Sequence, residues 1–244
     1  MALGFQVDEI VEDPRRKRPD LRASKDGTSM LVEVKTREED AKLRAKMESV
    51  GVDATETILV PLDKHNSLSS EIEEANTQLE TEATVKDLRL LWFRASSGLF
   101  VHDSRQQIGA TLLGIRMIFG TRDGEEWARE CVYAGYSDFF RFKSIDGAMI
   151  EVDGKLILIP NQFSPRRDAF SISPIYRAIR PAILDVQQGD HEGRFYVIDS
   201  SGVNRKDDAA LLEYLRQKYP GDEFSHFGKD YSVTTVMTID ASTA

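Results

Sequence analysis

The sequence is poor in the residues from which much catalytic chemistry is built. It holds one cysteine, Cys131, and four histidines among 244 residues. A lone thiol excludes an internal disulfide, and His65, His102, His191 and His226 are too dispersed to form a zinc spacing with it. There is no GxSxG elbow, which removes a common serine-hydrolase signature, and no GxxxxGK[ST] loop, so ATP-driven work would need a partner subunit. No run of about 18 apolar residues is present to cross a membrane, and the N-terminal residues lack the basic-then-apolar order of a secretory signal. These absences predict a cytoplasmic protein, reduced and off the membrane, with Cys131 as a small buried apolar side chain. Repeats, low-complexity tracts and Pro/Gly-rich linkers are missing too, and the length admits one large domain or two small ones.

What the chain does have is charge, unevenly placed. The net charge is -9, yet the first 46 residues hold 11 Lys/Arg against 10 Asp/Glu. That segment contains a compact cationic run, Arg15-Arg16-Lys17-Arg18, directly before Pro19-Asp20. Seen alone, a basic tetrapeptide is a solvated loop. Beside an acidic pair it becomes a candidate for holding a phosphate backbone.

The acidic pair belongs to the stretch Pro19 to Lys35. Pro19-Asp20 opens an extended segment, Lys25-Asp26-Gly27 is a hairpin turn signal, and Met30 to Lys35 reads as the returning strand. Alternation along that strand puts Glu33 and Lys35 on one face, with Val32 and Val34 on the other. Asp20 can face Glu33 and Lys35 across the hairpin. Two carboxylates converging beside one ammonium suit a hard divalent cation and an activated water.

The remaining elements are read from periodicity. Gly4 to Glu12 predicts a first strand, irregular at Asp8-Glu9, and Thr36 to Ser49 a helix. After the apolar segment Thr57 to Pro61, Ser70 and Glu73 have capping-box spacing, and Leu68, Ile72, Ala75 and Leu79 form a stripe for packing on a sheet. Gln78 lies beside that stripe, either projecting towards the candidate site or facing solvent. Leu88 to Phe93 predicts a central strand. Between Asp103 and Gly120 a helix start leads into an apolar run that periodicity leaves as helix or strand. The aromatic segment Val132 to Phe142 reads as core. A hairpin turns at Asp153-Gly154, and Ser173-Pro174 caps a helix through Ile183. Phe195 to Asp199 predicts a strand, Asp207-Asp208 start a helix that Pro220-Gly221 end, and Tyr231 to Ile239 makes a last strand. Arg166, Arg167, Arg177 and Arg180 are either a second cationic surface or scattered surface charges.

Pro19-Asp20, Glu33-Val34-Lys35, the helix around Ala75 to Gln78 and the strand Leu88 to Phe93 together resemble the PD-(D/E)XK nuclease superfamily, the restriction-endonuclease-like fold. The resemblance covers roughly the first 95 residues. It implies an α/β fold, a mixed sheet flanked by helices, with a nuclease-like core over residues 1–100 and a mixed α+β region over 101–244. It assigns Asp20, Glu33 and the carbonyl of Val34 as ligands of Mg²⁺ or Mn²⁺, and Lys35 as the group that orients the attacking water and stabilises developing phosphoryl charge. The implied reaction is hydrolysis of DNA phosphodiester bonds, with Arg15, Arg16, Lys17 and Arg18 on the backbone. Many members place a Glu on a helix before the first strand. Only Met1 to Leu3 precede that strand here, so the resemblance implies either a helix encoded upstream or a site working without it. Two other accounts stand beside the nuclease: a module of the same fold that has lost catalysis and binds nucleic acid or a protein, and an ordinary sheet on which Glu33 and Lys35 are an exposed same-strand pair. A homodimer or a protein partner is left to the second half.

Overall fold

The computed structural model describes residues 4–37, 55–61, 66–95, 101–228 and 231–237, together with Ala45 and Ser49. The helix expected over Thr36 to Ser49 falls largely outside these residues. Three strands come first, two short and one of ten residues: β1 (Gln6–Glu9), β2 (Leu21–Lys25) and β3 (Thr28–Arg37). They form an antiparallel meander. β1 pairs without interruption from Gln6 against Ser24 to Glu9 against Leu21, so the irregularity expected at Asp8-Glu9 is absent. The β2–β3 turn falls on Asp26 and Gly27, at φ 50° and 75°. That left-handed pair is the twist-matched geometry of a two-residue hairpin, and Asp-Gly is the sequence that tolerates it.

Helix α1 (Asn66–Glu82) and strand β5 (Leu88–Ala95) follow, after β4 (Thr55–Pro61), which leaves the main sheet. β4 pairs antiparallel with the last strand, β12 (Tyr231–Met237), as a separate two-stranded ribbon. α1 starts at Asn66, so the capping box at Ser70 and Glu73 is not its N-terminus: Ser70 is an exposed residue inside the helix. The stripe itself is as expected, with Leu68, Ile72, Ala75 and Leu79 fully buried. β5 pairs parallel with β3 on one side and with β8 (Gly147–Val152) on the other. β9 (Lys155–Pro160) completes the sheet antiparallel to β8, across a turn at Asp153 and Gly154 with φ 49° and 70°. The order is β1-β2-β3-β5-β8-β9, a mixed six-stranded sheet flanked by helices. β8 and β9 come from beyond residue 100, so a division there would run through the sheet.

The apolar run Ile108 to Phe119 is both helix and strand. Helix α2 (Val101–Leu113) ends at Gly114, and β6 (Arg116–Arg122) begins two residues later. Gly114 has φ 59°, and a Cβ on it would lie 2.7 Å from the carbonyl oxygen of Gly135. Only glycine fits both requirements. β6 joins β7 (Glu125–Val132), β10 (Tyr196–Val197) and β11 (Glu223–Gly228) in a second sheet of order β10-β7-β6-β11. Of these, β10 corresponds to the strand expected over Phe195 to Asp199, whereas β7 and β11 carry no alternation that announces them. The aromatic segment is core, as expected: Tyr133, Phe139 and Phe142 are buried, around the short helix α3 (Asp138–Arg141), while Tyr136 is half-exposed. Two more short helices, α4 (Arg167–Ser171) and α5 (Pro174–Ile179), pack on the main sheet face away from α1. The Ser173 hydroxyl caps α5 with Pro174 at its first turn, but the helix gives way after Ile179 to a 3₁₀ turn, Arg180–Ala182. Pro181 explains the early end, since it lacks the N–H that would continue the α-helical ladder. The short helix α6 (Val186–His191) and helix α7 (Asp208–Lys218), capped by Asp207, follow.

Each face of the main sheet carries its own core. Leu31, Leu91 and Phe93 join Leu68, Ile72 and Leu79 of α1, while Met30, Val32, Leu88 and Leu90 join Phe170 and Ile175 on the other side. This is the period-two alternation expected of β3. It fixes on which face a charged residue of that strand must appear.

Candidate carboxylate site

Glu33 lies on the α1 face, one residue pair beyond Leu31, and is 2 % exposed. Its Oε1 accepts a 2.7 Å hydrogen bond from Lys35 Nζ, and its Oε2 is buried with no donor, the Asp20 carboxylate standing within hydrogen-bonding reach of the group. Lys35, two residues on, sits on the same face with its side chain mostly covered. A strand holds such an i, i+2 pair parallel, so their contact follows from local geometry.

Asp20 comes to this pair from across the hairpin. The last paired residues of β2 and β3 are Leu21 and Val32. Continuing that register sets Asp20 opposite Glu33 and Pro19 opposite Val34. Asp20 is exposed, and its Oδ2 accepts a 2.7 Å hydrogen bond from the Val34 amide. Its own carbonyl accepts from Ile10 N at 2.9 Å, which ties the connection after β1 to this corner. In a strand the N–H and C=O of one residue point to the same edge, so the Val34 carbonyl also faces the β2 side. Opposite it stands a proline, which has no N–H to donate. The structure therefore brings together all four residues that the sequence singled out here: Asp20, Glu33, Val34 and Lys35.

The electrostatics of the corner are strained. Burial pushes the Glu33 carboxyl up, the hydrogen bond and charge of Lys35 pull it down, and the neighbouring Asp20 pushes it up again, with a net rise to about 7. An orphaned buried carboxylate oxygen, a second carboxylate opposite and a carbonyl facing a proline form a set that a hard divalent cation would satisfy. Among the described residues no three or more His, Cys, Asp or Glu side chains gather around one point. Protein ligation would then be limited to the two carboxylates and the carbonyl, with water and phosphate oxygens for the rest, a distribution Mg²⁺ commonly takes.

A groove of about 1010 Å³ runs from this corner along the connection between β1 and β2. Its lining includes Arg15, Arg16, Lys17, Arg18, Asp20 and Lys35, with Glu74 and Gln78 of α1 on the far wall. The cationic run is thus adjacent to the site in space as in sequence. Three of its four side chains are turned onto α1. Arg18 donates to both oxygens of Glu82 at 2.6 and 3.0 Å, Arg16 to the same carboxylate at 3.3 Å, and Lys17 pairs with Glu74. Hydrogen bonding to Arg18 holds Glu82 below the usual carboxylate range, and Lys17 does the same for Glu74. Arg15 enters none of these pairs; its amide donates to Asp13.

Sequence reasoning missed Glu74 and Glu82, although the signal was present. Glu71, Glu74, Gln78 and Glu82 follow helical spacing beside the apolar stripe of α1, and Glu74 and Gln78 of that polar stripe line the groove. Gln78 is 9 % exposed and its Oε1 has no partner, which excludes the solvent-facing alternative. The second set of arginines is not one surface. Arg166 donates to the fully buried Asp146 at 3.0 Å, a structural pairing.

The fold and this corner define an α/β protein whose mixed sheet carries two opposed carboxylates and a lysine on one face. No protein-family model, no curated protein and no solved structure matches the chain.

Proposed function

We propose that the chain is a metal-dependent phosphodiesterase with a restriction-endonuclease-like core, hydrolysing DNA at the Asp20, Glu33 and Lys35 corner. The observation that carries this reading is Glu33. A sheet that needed only an ion pair would leave a Glu-X-Lys couple in solvent, where it costs nothing. Here the carboxylate is buried with one oxygen bare, opposite a second acid, which is expensive unless a proton or a cation completes it.

Asp20, Glu33 and the carbonyl of Val34 would hold the ion. When bound, Mg²⁺ or Mn²⁺ would neutralise phosphoryl charge and acidify an attacking water. Lys35 keeps its ammonium beside Glu33 and lines the groove, where it can donate a hydrogen bond to a water or to a phosphoryl oxygen as negative charge develops. The Val34 amide fixes Asp20 by its side chain, so the acid does not have to be ordered on binding. Along the groove, Arg15 is the cation with no carboxylate in those pairs and the first contact for a DNA phosphate.

A second reading rests on a separate observation. Arg16, Lys17 and Arg18 are already neutralised by α1, which leaves less free charge for a substrate backbone and favours a catalytically inactive nuclease-fold module, with a protein partner ahead of nucleic acid as its ligand. The two readings separate in one experiment. Mn²⁺ titrated into the protein by calorimetry should bind, and the binding should disappear in Asp20→Asn. Plasmid, linear and branched DNA should be cut with Mg²⁺ or Mn²⁺, and not by Lys35→Ala, whose circular dichroism should stay native. Metal binding without cleavage supports the inactive module, and absence of both removes the nuclease reading.

A further inference from the structure

The main sheet ends at β1, and among the described residues no strand pairs with the outer side of it. The phase of its ladder shows what this edge offers. Ile10 N donates to Asp20 O at 2.9 Å, and Ile10 continues the register that sets Gln6 against Ser24 and Glu9 against Leu21. Hydrogen-bonded pairs recur at every second residue of an antiparallel ladder, so Gln6 and Asp8 turn their amides and carbonyls to β2. Val7 and Glu9 turn theirs outward. All four residues of β1 are exposed, Val7 at 54 %. On the α5 face, Phe5 and Val7 border an apolar cleft of about 400 Å³, which Leu21, Ala23, Trp92 and Ile175 also line.

The charge along this edge is of one sign. From Phe5 to Asp13 the chain carries Asp8, Glu9, Glu12 and Asp13 and no base. Arg16 meets Asp13 at 3.6 Å, whereas Asp8, Glu9 and Glu12 pair with no cation among the described residues. Arg22, opposite Asp8 on β2, is committed to Asp87 and Ser29 at 2.8 and 3.1 Å. At the other end of the strand, Lys25 Nζ lies 5.3 Å from the centre of the Phe5 ring.

From the outward amides and carbonyls, the exposed valine beside an apolar cleft and the unpaired acids, we infer that β1 is a docking edge for an extended basic peptide of a partner protein. The peptide adds to the six strands as another. Main-chain hydrogen bonds to Val7 and Glu9 hold it, and its apolar side chains cover Val7 on the α5 face. Lysines or arginines at alternate residues meet Asp8 on the face to which Ile10 turns. Its most basic end lies towards Glu9 and Glu12, away from Lys25. A second copy of this chain is a poor occupant, because β1 against β1 would set these acids against one another. The inference rests on neither reading of the metal corner.

A capped hexapeptide of alternating valine and lysine is the probe, titrated into the whole chain by calorimetry. Its fully N-methylated form keeps the charge and loses the main-chain donors, and a third peptide carries glutamate in place of lysine. The parent should bind the first and neither of the others. Val7→Pro removes an outward N–H that the ladder with β2 does not use, so it should leave the melting temperature nearly unchanged and weaken the peptide about tenfold. Asp8→Lys should also weaken it about tenfold, by reversing the charge that faces the lysines. A parent that ignores the valine–lysine peptide, or binds the N-methylated form equally well, would overturn the inference. So would a folded Val7→Pro protein that binds as the parent does. A dimer seen in sedimentation, lost in Val7→Pro and indifferent to the peptide, would overturn it too and give the edge to a second copy.

Discussion

Two acids of the main sheet are equally buried, and their surroundings drive them in opposite directions. Glu33 and Asp87 are each 2 % exposed, and for each burial is the largest influence, favouring the protonated form. Asp87, just ahead of β5, is met by a complete set of donors. The Ser29 hydroxyl bonds it at 2.6 Å, Arg22 at 2.8 Å, and the amide and hydroxyl of Thr84 each at 2.8 Å. Those donors outweigh burial and hold Asp87 below the usual range. Glu33 has Lys35 alone, with Asp20 opposing, and burial wins. A buried carboxylate with every oxygen satisfied is part of the architecture; one left half-satisfied is a vacancy for something else.

The largest effect expected from this contrast is the loss of Asp87. Asp87→Ala strands Arg22, Ser29 and Thr84 and should cost about 3 kcal/mol in urea unfolding at pH 7. An effect below about 1 kcal/mol would show that its donors relax to water and that the contrast with Glu33 is not energetic.

Next in size, and opposite in sign with pH, is Glu33 in metal-free protein. Its folded value of about 7 lies above an unfolded value near the ordinary glutamate range, so the folded state holds the extra proton between them. The contribution of Glu33 to stability is complete below that range and is lost as pH rises through 7, by about 3 kcal/mol in all. For Asp87 the depressed value means stability present above the ordinary range and lost as pH falls below it. In EDTA, Glu33→Gln should therefore flatten the fall in stability from pH 5 to 8 and be the more stable protein at pH 8. A variant with an unchanged pH profile would remove Glu33 as its source. A smaller effect belongs to Lys35→Ala: without its hydrogen bond and charge the Glu33 carboxyl should titrate still higher, which carbon-detected NMR of labelled glutamate would read.

How much of this contrast was legible in the sequence follows from the range of the forces involved. The hairpin, its Asp-Gly turn and the shared face of Glu33 and Lys35 are local consequences of alternation and backbone preference, and the structure keeps them. Leu68, Ile72, Ala75 and Leu79 were visible for the same reason. The start of α1 was misplaced because Ser70 and Glu73 carry capping-box spacing four residues inside the helix, where packing of Leu68 overrides a local cap. β7 and β11 were missed because their neighbours across the second sheet, not their own periodicity, make them strands. The donors of Asp87 come from β2, β3 and the turn before β5, and the partners of Arg16 to Arg18 from a helix more than 50 residues away. Such pairings are set by tertiary structure, so the sequence showed where charge lay but not which charge was already spent.

That last distinction yields the finest test of the comparison, because the cationic run repeats it in opposite sign. Arg18, like Asp87, is satisfied: it has both oxygens of Glu82 and the Val11 carbonyl at 3.3 Å. Arg15, like Glu33, is left to find a partner. If DNA is the ligand, Arg15→Ala should weaken binding and lower the slope of log K against log salt by about 0.9, the release of one counterion. Arg18→Ala should leave the slope nearly unchanged and instead lower the urea midpoint slightly, since a bidentate pair with Glu82 is lost. Equal slopes for the two variants and the parent would mean that neither arginine meets a phosphate, and that the whole run is a strap across α1. A slope lowered equally by both would mean that DNA draws Arg18 away from Glu82, so that a pair satisfied in the free protein is remade on binding.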